Sequence, residues 1–128
     1  MLVFDASAAV KWFHDEAGSD LARDLLLSDV ASDGVWMPDN CVHEVLTVVR
    51  RRAGWNVVGA AWRAMAEAGI TIVHADESLV DEAARVGAES GCSYCDALAP
   101  AVAWMVEATL VSVDATAHGG VPGVRLIG

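Results

Sequence analysis

Four carboxylates in this chain stand where a carboxylate needs a physical reason: Asp5, Glu44, Asp96 and Asp114. Asp5 and Asp114 each close a short apolar run, Leu2-Val3-Phe4 and Leu110-Val111-Ser112-Val113, that reads as a buried strand. In an open parallel sheet, ligands bind outside the carboxyl ends of the strands, where the winding direction reverses. If strands one to three wind outward and the fourth returns beside the first, these two aspartates flank that reversal. Each also has an ordinary use, as the residue that starts a turn or caps the next helix. Asp96 lies in the helical stretch Ser93–Val106, which has no charge from Ala97 to Val106. An ionised carboxylate in such surroundings is expensive unless it is paired, hydrogen-bonded or metal-bound. The competing reading is a capping-box variant with Ser93 three residues earlier, where an acid also suits the helix dipole. Pro100 removes the N–H that would bond the Asp96 carbonyl and should kink the helix there. Glu44 sits in Asn40–Arg52, nearly opposite the stripe of Val42, Val45, Leu46 and Val49. It shares its face with Asn40, Thr47 and Arg51, and Arg51 lies about 10 Å along the helix. That face is either solvated or the border of the crevice.

The elements that must position these residues alternate in type. Strands are expected at Leu2–Phe4, Val35–Met37, Ile70–Val73, Leu110–Val113 and Val124–Ile127. Helices are expected near Ser7–Phe13, Ser19–Leu27, Asn40–Arg52 and Val57–Glu67, through Leu79, Val80, Ala83 and Val86 up to Gly91, and at Ser93–Val106. Such alternation means a parallel sheet covered on both faces. The 128 residues suit one domain, with no internal repeat, low-complexity tract or linker.

Composition narrows the class. Apolar residues at 55% supply ample core, so disorder is excluded. No apolar run approaches the ~20 residues of a spanning helix. The start, with Asp5 and no basic segment, is not a signal peptide. Three cysteines make no disulfide framework, and the expected compartment is the cytoplasm. A net charge of -10 argues against bulk attraction to nucleic acid.

Val3-Phe4-Asp5-Ala6-Ser7-Ala8-Ala9-Val10-Lys11-Trp12-Phe13 resembles the opening of a PIN domain, specifically the VapC-type toxins of toxin–antitoxin pairs. In that family an apolar strand ends in Asp, followed at once by a small residue and Ser/Thr. Glu44-Val45-Leu46-Thr47 resembles the second motif, Tyr94-Cys95-Asp96-Ala97-Leu98-Ala99 the third, and Leu110-Val111-Ser112-Val113-Asp114 the fourth. The resemblance spans essentially the whole chain. It implies one PIN-like nuclease domain over residues 1–128, a three-layer α/β/α fold with a mostly parallel five-stranded sheet in the order 3-2-1-4-5. It further implies that Asp5, Glu44, Asp96 and Asp114 converge on a divalent metal site that cleaves RNA, with Asp5, Asp96 and Asp114 as metal ligands. Ser7 and Thr47 would support them. Oxygen-only donors favour Mg²⁺ or Mn²⁺ over Zn²⁺. The expected products carry 5′-phosphate and 3′-hydroxyl ends. The expected partners are an RNA substrate, a cognate antitoxin and a second copy in a homodimer, with no membrane. Pro100 departs from the family's uninterrupted helix, and Ala117 stands where some relatives carry a further acid.

Other features are read more plainly. Cys92-Ser93-Tyr94-Cys95 has no second pair to complete a zinc site and follows no strand. His43 and His118 read as surface residues, and Trp12, Trp55 and Trp62 read as core packing, although tryptophan is also enriched in interfaces. Arg50-Arg51-Arg52 is the only basic run. It suits the helix C-terminal dipole and, given a nuclease, is the first candidate for RNA phosphate contacts. Two alternatives compete. One is a hydrolase with Asp5 as covalent nucleophile, which lacks the expected second acid at Ser7 and has only Lys11 as a lysine. The other is a PIN-like module that binds RNA or a partner without cutting.

Overall fold

Five apolar runs become five parallel strands of one sheet: β1 (Leu2–Phe4), β2 (Val35–Pro38), β3 (Thr71–Val73), β4 (Thr109–Ser112) and β5 (Arg125–Leu126). The order is β3-β2-β1-β4-β5, and every pairing is parallel. This architecture comes from a computed structural model that describes residues 1–128. Parallel strands need crossover connections, and helices flank the sheet: α1 (Ala6–Ala9), α2 (Ser19–Val30), α3 (Asp39–Ala53), α4 (Val58–Glu67), α5 (Glu77–Ser90), α6 (Tyr94–Met105) and α7 (Ala115–His118). With both faces covered, β1 is buried at every residue rather than at alternate ones. Phe4 is fully enclosed and packs its ring 4.7 Å from that of Trp12.

The differences from the expected elements have local causes. The first helix is only α1 followed by a 3₁₀ turn at Val10–Trp12. At the sheet edge, β5 shrinks to two exposed residues, with Pro122 and Gly123 just before it to limit its length. One helical turn, α7, stands outside the expected helices and matches the alternative reading of Asp114 as a cap: its side chain accepts the Ala117 N–H at 3.0 Å.

The winding reverses between β1 and β4, as the strand order requires. Phe4 pairs with Val111, and the Asp5 N–H donates to the Val111 carbonyl at 3.1 Å. Asp5 and Asp114 therefore leave neighbouring strands at the same end of the sheet. Helix α6 packs on β1, β2 and β4, which brings its first turn to that end. It runs through Pro100 as one buried helix, so the proline does not interrupt it. Helix α3 starts directly after β2, and Asn40 in its first turn donates through Nδ2 to the Cys95 carbonyl of α6 at 3.4 Å.

Candidate functional site

At the carboxyl ends of β1 and β4 lies a cleft of about 80 Å³, lined by all four singled-out acids together with Ser7, Cys41, Cys95 and His118. Asp5 comes from the end of β1, Glu44 from α3, Asp96 from the first turn of α6, and Asp114 from the cap of α7. Capping and site placement coincide here. Asp5 accepts the Ala8 N–H and caps α1, and Asp114 caps α7, yet both line the cleft. Asp96 divides the capping box differently from expectation. Ser93 accepts the Asp96 N–H at 3.1 Å, and the Asp96 carboxylate returns no bond, so it is free to face the cleft.

Asp5 is 5% exposed and fully coordinated by the protein. Its Oδ1 accepts from Ser7 Oγ at 2.7 Å and from the Ala8 N–H at 3.0 Å. Its Oδ2 accepts from Ser112 Oγ at 2.7 Å and from His118 Nδ1 at 2.9 Å. An ionised carboxylate has about four acceptor positions, and all are taken. Burial alone would raise the Asp5 carboxyl, but the bonds from His118, Ser7, Ser112 and Ala8 hold it below its ordinary value.

His118 is the residue the sequence reading misplaced. It is not a surface loop residue: it is 3% exposed, ends α7 and lies behind the cleft. Nε2 lies 2.8 Å from the Asp96 carbonyl, which can only accept, so Nε2 carries a proton. Nδ1 faces an Asp5 oxygen and, at 2.8 Å, the Ser112 hydroxyl, whose own proton is given to Asp5. Nδ1 lies within hydrogen-bond distance of both groups. Burial opposes a charge on the ring, but the bond to Asp5, the bond to the Asp96 carbonyl and the nearby negative charges raise its affinity for the proton.

The remaining acids repel one another. Glu44 makes no hydrogen bond, and its carboxyl is raised by burial and then by the charges of Asp96 and Asp5. Cys41 lies beneath them; burial, then Asp5 and Glu44, push its thiol far up and leave it inert. A cation would relieve this crowding. No group of three acidic, histidine or cysteine side chains stands as a ready metal site. The carboxylate oxygens here are of the kind Mg²⁺ or Mn²⁺ takes, with waters completing the shell. Those without a protein partner are on Glu44, Asp96 and Asp114.

Not every singled-out residue reaches the cleft. Thr47 is exposed, and its hydroxyl donates to the His43 carbonyl on its own helix at 2.9 Å. Arg50, Arg51 and Arg52 lie along α3 beyond the cleft. Arg52 faces Glu16 at 3.7 Å, and the Arg50 guanidinium stacks 4.5 Å over Trp55. Trp55 and Trp62 are not core residues: Trp55 is 74% exposed and Trp62 46%. Lys11 is buried away from the acids, donating to the Ala17 carbonyl and facing Glu16 at 3.6 Å. It gives no support to an aspartate-nucleophile hydrolase. A larger hollow of about 590 Å³ beside Pro100, Trp104, Met105 and Pro122 gathers no such convergence of acids.

A wholly parallel five-stranded sheet, with four carboxylates meeting at the reversal point, is an α/β domain of the acidic-cleft kind. The chain belongs to the PIN domain family, whose model matches residues 2–118. No curated protein matches it by sequence. Among solved structures it is similar to a toxin–antitoxin complex from Klebsiella pneumoniae, with a TM-score of 0.73, 16% identity, and coverage of 98% of this chain and 96% of that one. It is similar to VapC20 of Mycobacterium tuberculosis, a sarcin–ricin loop cleaving toxin (TM-score 0.74, 21% identity, 98% and 99% covered). It is also similar to VapBC2 of Rickettsia felis, bound to a promoter DNA fragment (TM-score 0.77, 12% identity, 98% and 96% covered).

Proposed function

We propose that this chain is a divalent-metal-dependent endoribonuclease and the toxin of a toxin–antitoxin pair. The observation that carries the reading is the convergence of Asp5, Glu44, Asp96 and Asp114 on one cleft at the switch point of a PIN fold. The VapC and toxin–antitoxin character of the similar structures supports it. Asp5, Asp96 and Asp114 would hold Mg²⁺ or Mn²⁺ with Glu44 beside them, Asp5 giving up one of its present donors to do so. The ion would polarise a phosphodiester and activate water for in-line attack. Water adds to phosphorus and the P–O3′ bond breaks, leaving a 3′-hydroxyl and a 5′-phosphate. Arg50, Arg51 and Arg52, continuing along α3 from Glu44, would meet neighbouring phosphates. An antitoxin would cover the cleft, and a second copy would pair with this one so that two clefts share one RNA-binding surface. A chain so composed would act in the cytoplasm.

Purified protein with Mg²⁺ or Mn²⁺ is expected to cut structured RNA. Asp5→Asn and Asp96→Asn are each expected to abolish cutting, as is chelation by EDTA. Cleavage that survives both substitutions refutes the reading. A protein that binds RNA but takes up no Mn²⁺ at millimolar concentration in a calorimeter is a non-cutting module instead.

A further inference from the structure

We propose that His118 is a positioning residue that locks the Asp5 carboxylate to the first turn of α6 through the backbone carbonyl that Pro100 leaves free. In an α-helix the carbonyl of Asp96 would accept from the N–H of residue 100. Proline has none, and an unpaired buried carbonyl costs about as much as a lost hydrogen bond. Here the donor comes from 22 residues further along the chain: His118 Nε2, 2.8 Å away. The other end of the same ring reaches Asp5 Oδ2 at 2.9 Å and Ser112 Oγ at 2.8 Å. Two features that would each be unfavourable alone therefore satisfy one another, a proline inside a buried helix and a polar imidazole ring in the interior. The ring also spans the distance that matters, because Asp5 and Asp96 come from different elements and the imidazole ties one to the other.

The bridge has a consequence for cleavage, resting on the nuclease reading above. His118 fixes where the Asp5 carboxylate stands relative to the first turn of α6, so removing it should loosen that arrangement and slow cutting. A residue that merely filled space would show no coupling to Pro100 and no preference for an amide at the place of Nδ1.

The test compares His118→Ala, His118→Asn and His118→Gln, each alone and with Pro100→Ala. For His118→Ala we expect RNA cleavage at least 10-fold slower, as for other partners that orient metal-site ligands. The Asn amide reaches the place of Nδ1, so His118→Asn should regain rate over His118→Gln. Pro100→Ala restores an N–H for the Asp96 carbonyl, so the loss of His118 should cost less urea stability in that background. Equal rates in His118→Asn and His118→Gln, or no coupling between positions 100 and 118, overturn the proposal. If the wild-type protein binds no Mn²⁺, the metal-nuclease reading fails, and the coupling still decides the bridge. Should His118→Ala not fold, the Asn and Gln variants carry the comparison.

Discussion

Ser112 shows how much one hydroxyl does in this cleft. It is fully buried at the end of β4, donates to Asp5, faces the His118 ring and accepts the Asp114 N–H at 3.1 Å. Ser112→Ala leaves an Asp5 oxygen short of a donor and a backbone N–H short of an acceptor. The expected destabilisation is about 1–3 kcal/mol, measured as a shift in the urea midpoint at unchanged slope. Such residues mark the border of what the sequence discloses. Asp5 and Asp114 were legible because an acid ending an apolar run is a local pattern. Ser112 was read only as a strand residue, although a hydroxyl inside Leu110-Val111-Ser112-Val113 is itself a signal. Its partner Asp5 is 107 residues away, and no local pattern contains that pairing. His118 was missed for the same reason. The sequence did identify the missing N–H at Pro100; what it could not show was which donor would replace it.

At the scale of the element, α3 joins two chemistries. Glu44 lines the cleft near its middle, and three arginines close its last turn, where positive charge suits the dipole. Arg52 has Glu16 and Arg50 has Trp55, but Arg51 has no carboxylate within ion-pair distance and lies on Glu44's side of the helix. Given the proposed substrate, Arg51→Gln should weaken RNA binding about equally across sequences. It should also reduce the slope of log K against log salt by about 1, read by titration in EDTA so that nothing is cut. The segment leading into α2 is pinned to the same end of α3, where Glu16 faces both Lys11 and Arg52. His14 lies beside this cluster, with its Nε2 enclosed and unpartnered. Burial, then the Arg52 charge, lower its proton affinity below the ordinary 6.5, with Glu16 opposing. A histidine held neutral in the fold contributes stability that is present above that ordinary value and is lost as pH falls through the lowered one. Denaturation curves collected from about pH 7 downward should therefore be flatter in His14→Gln than in the wild-type protein. The order of the strands and of the longer helices was legible, because periodicity is local; the single turn of α7 was too short to show any. The exposure of Trp55 and Trp62 was not, since an aromatic residue on a helix packs inward unless the neighbouring surface is absent, and only the fold shows that absence.

For the whole molecule, the charge of -10 changes meaning once the acids are placed. Four of the 18 acids line one cleft, which leaves 14 against 8 bases, or -6, for the rest. The cleft is thus far more negative than its size would suggest, and the proposed divalent ion would offset part of it. Mn²⁺ should raise the melting temperature of the wild-type protein, because a ligand at 100 times its dissociation constant adds about 2.7 kcal/mol of stability. Asp96→Asn should lose most of that shift in a thermal scan. A broadly basic, RNA-coating protein remains excluded. No helix is long and apolar enough to cross a membrane.

The sheet places its first strand at the centre and completes the cleft from elements much later in the sequence: Asp5 is fixed by Ser112 and His118. During synthesis Asp5 emerges well before the groups that hold it, Ser112 following it by 107 residues. A partly made chain therefore has the first carboxylate but no assembled centre. For the ribonuclease proposed above, this order of assembly would keep a growing chain that carries Asp5 alone from cutting the RNA that surrounds it.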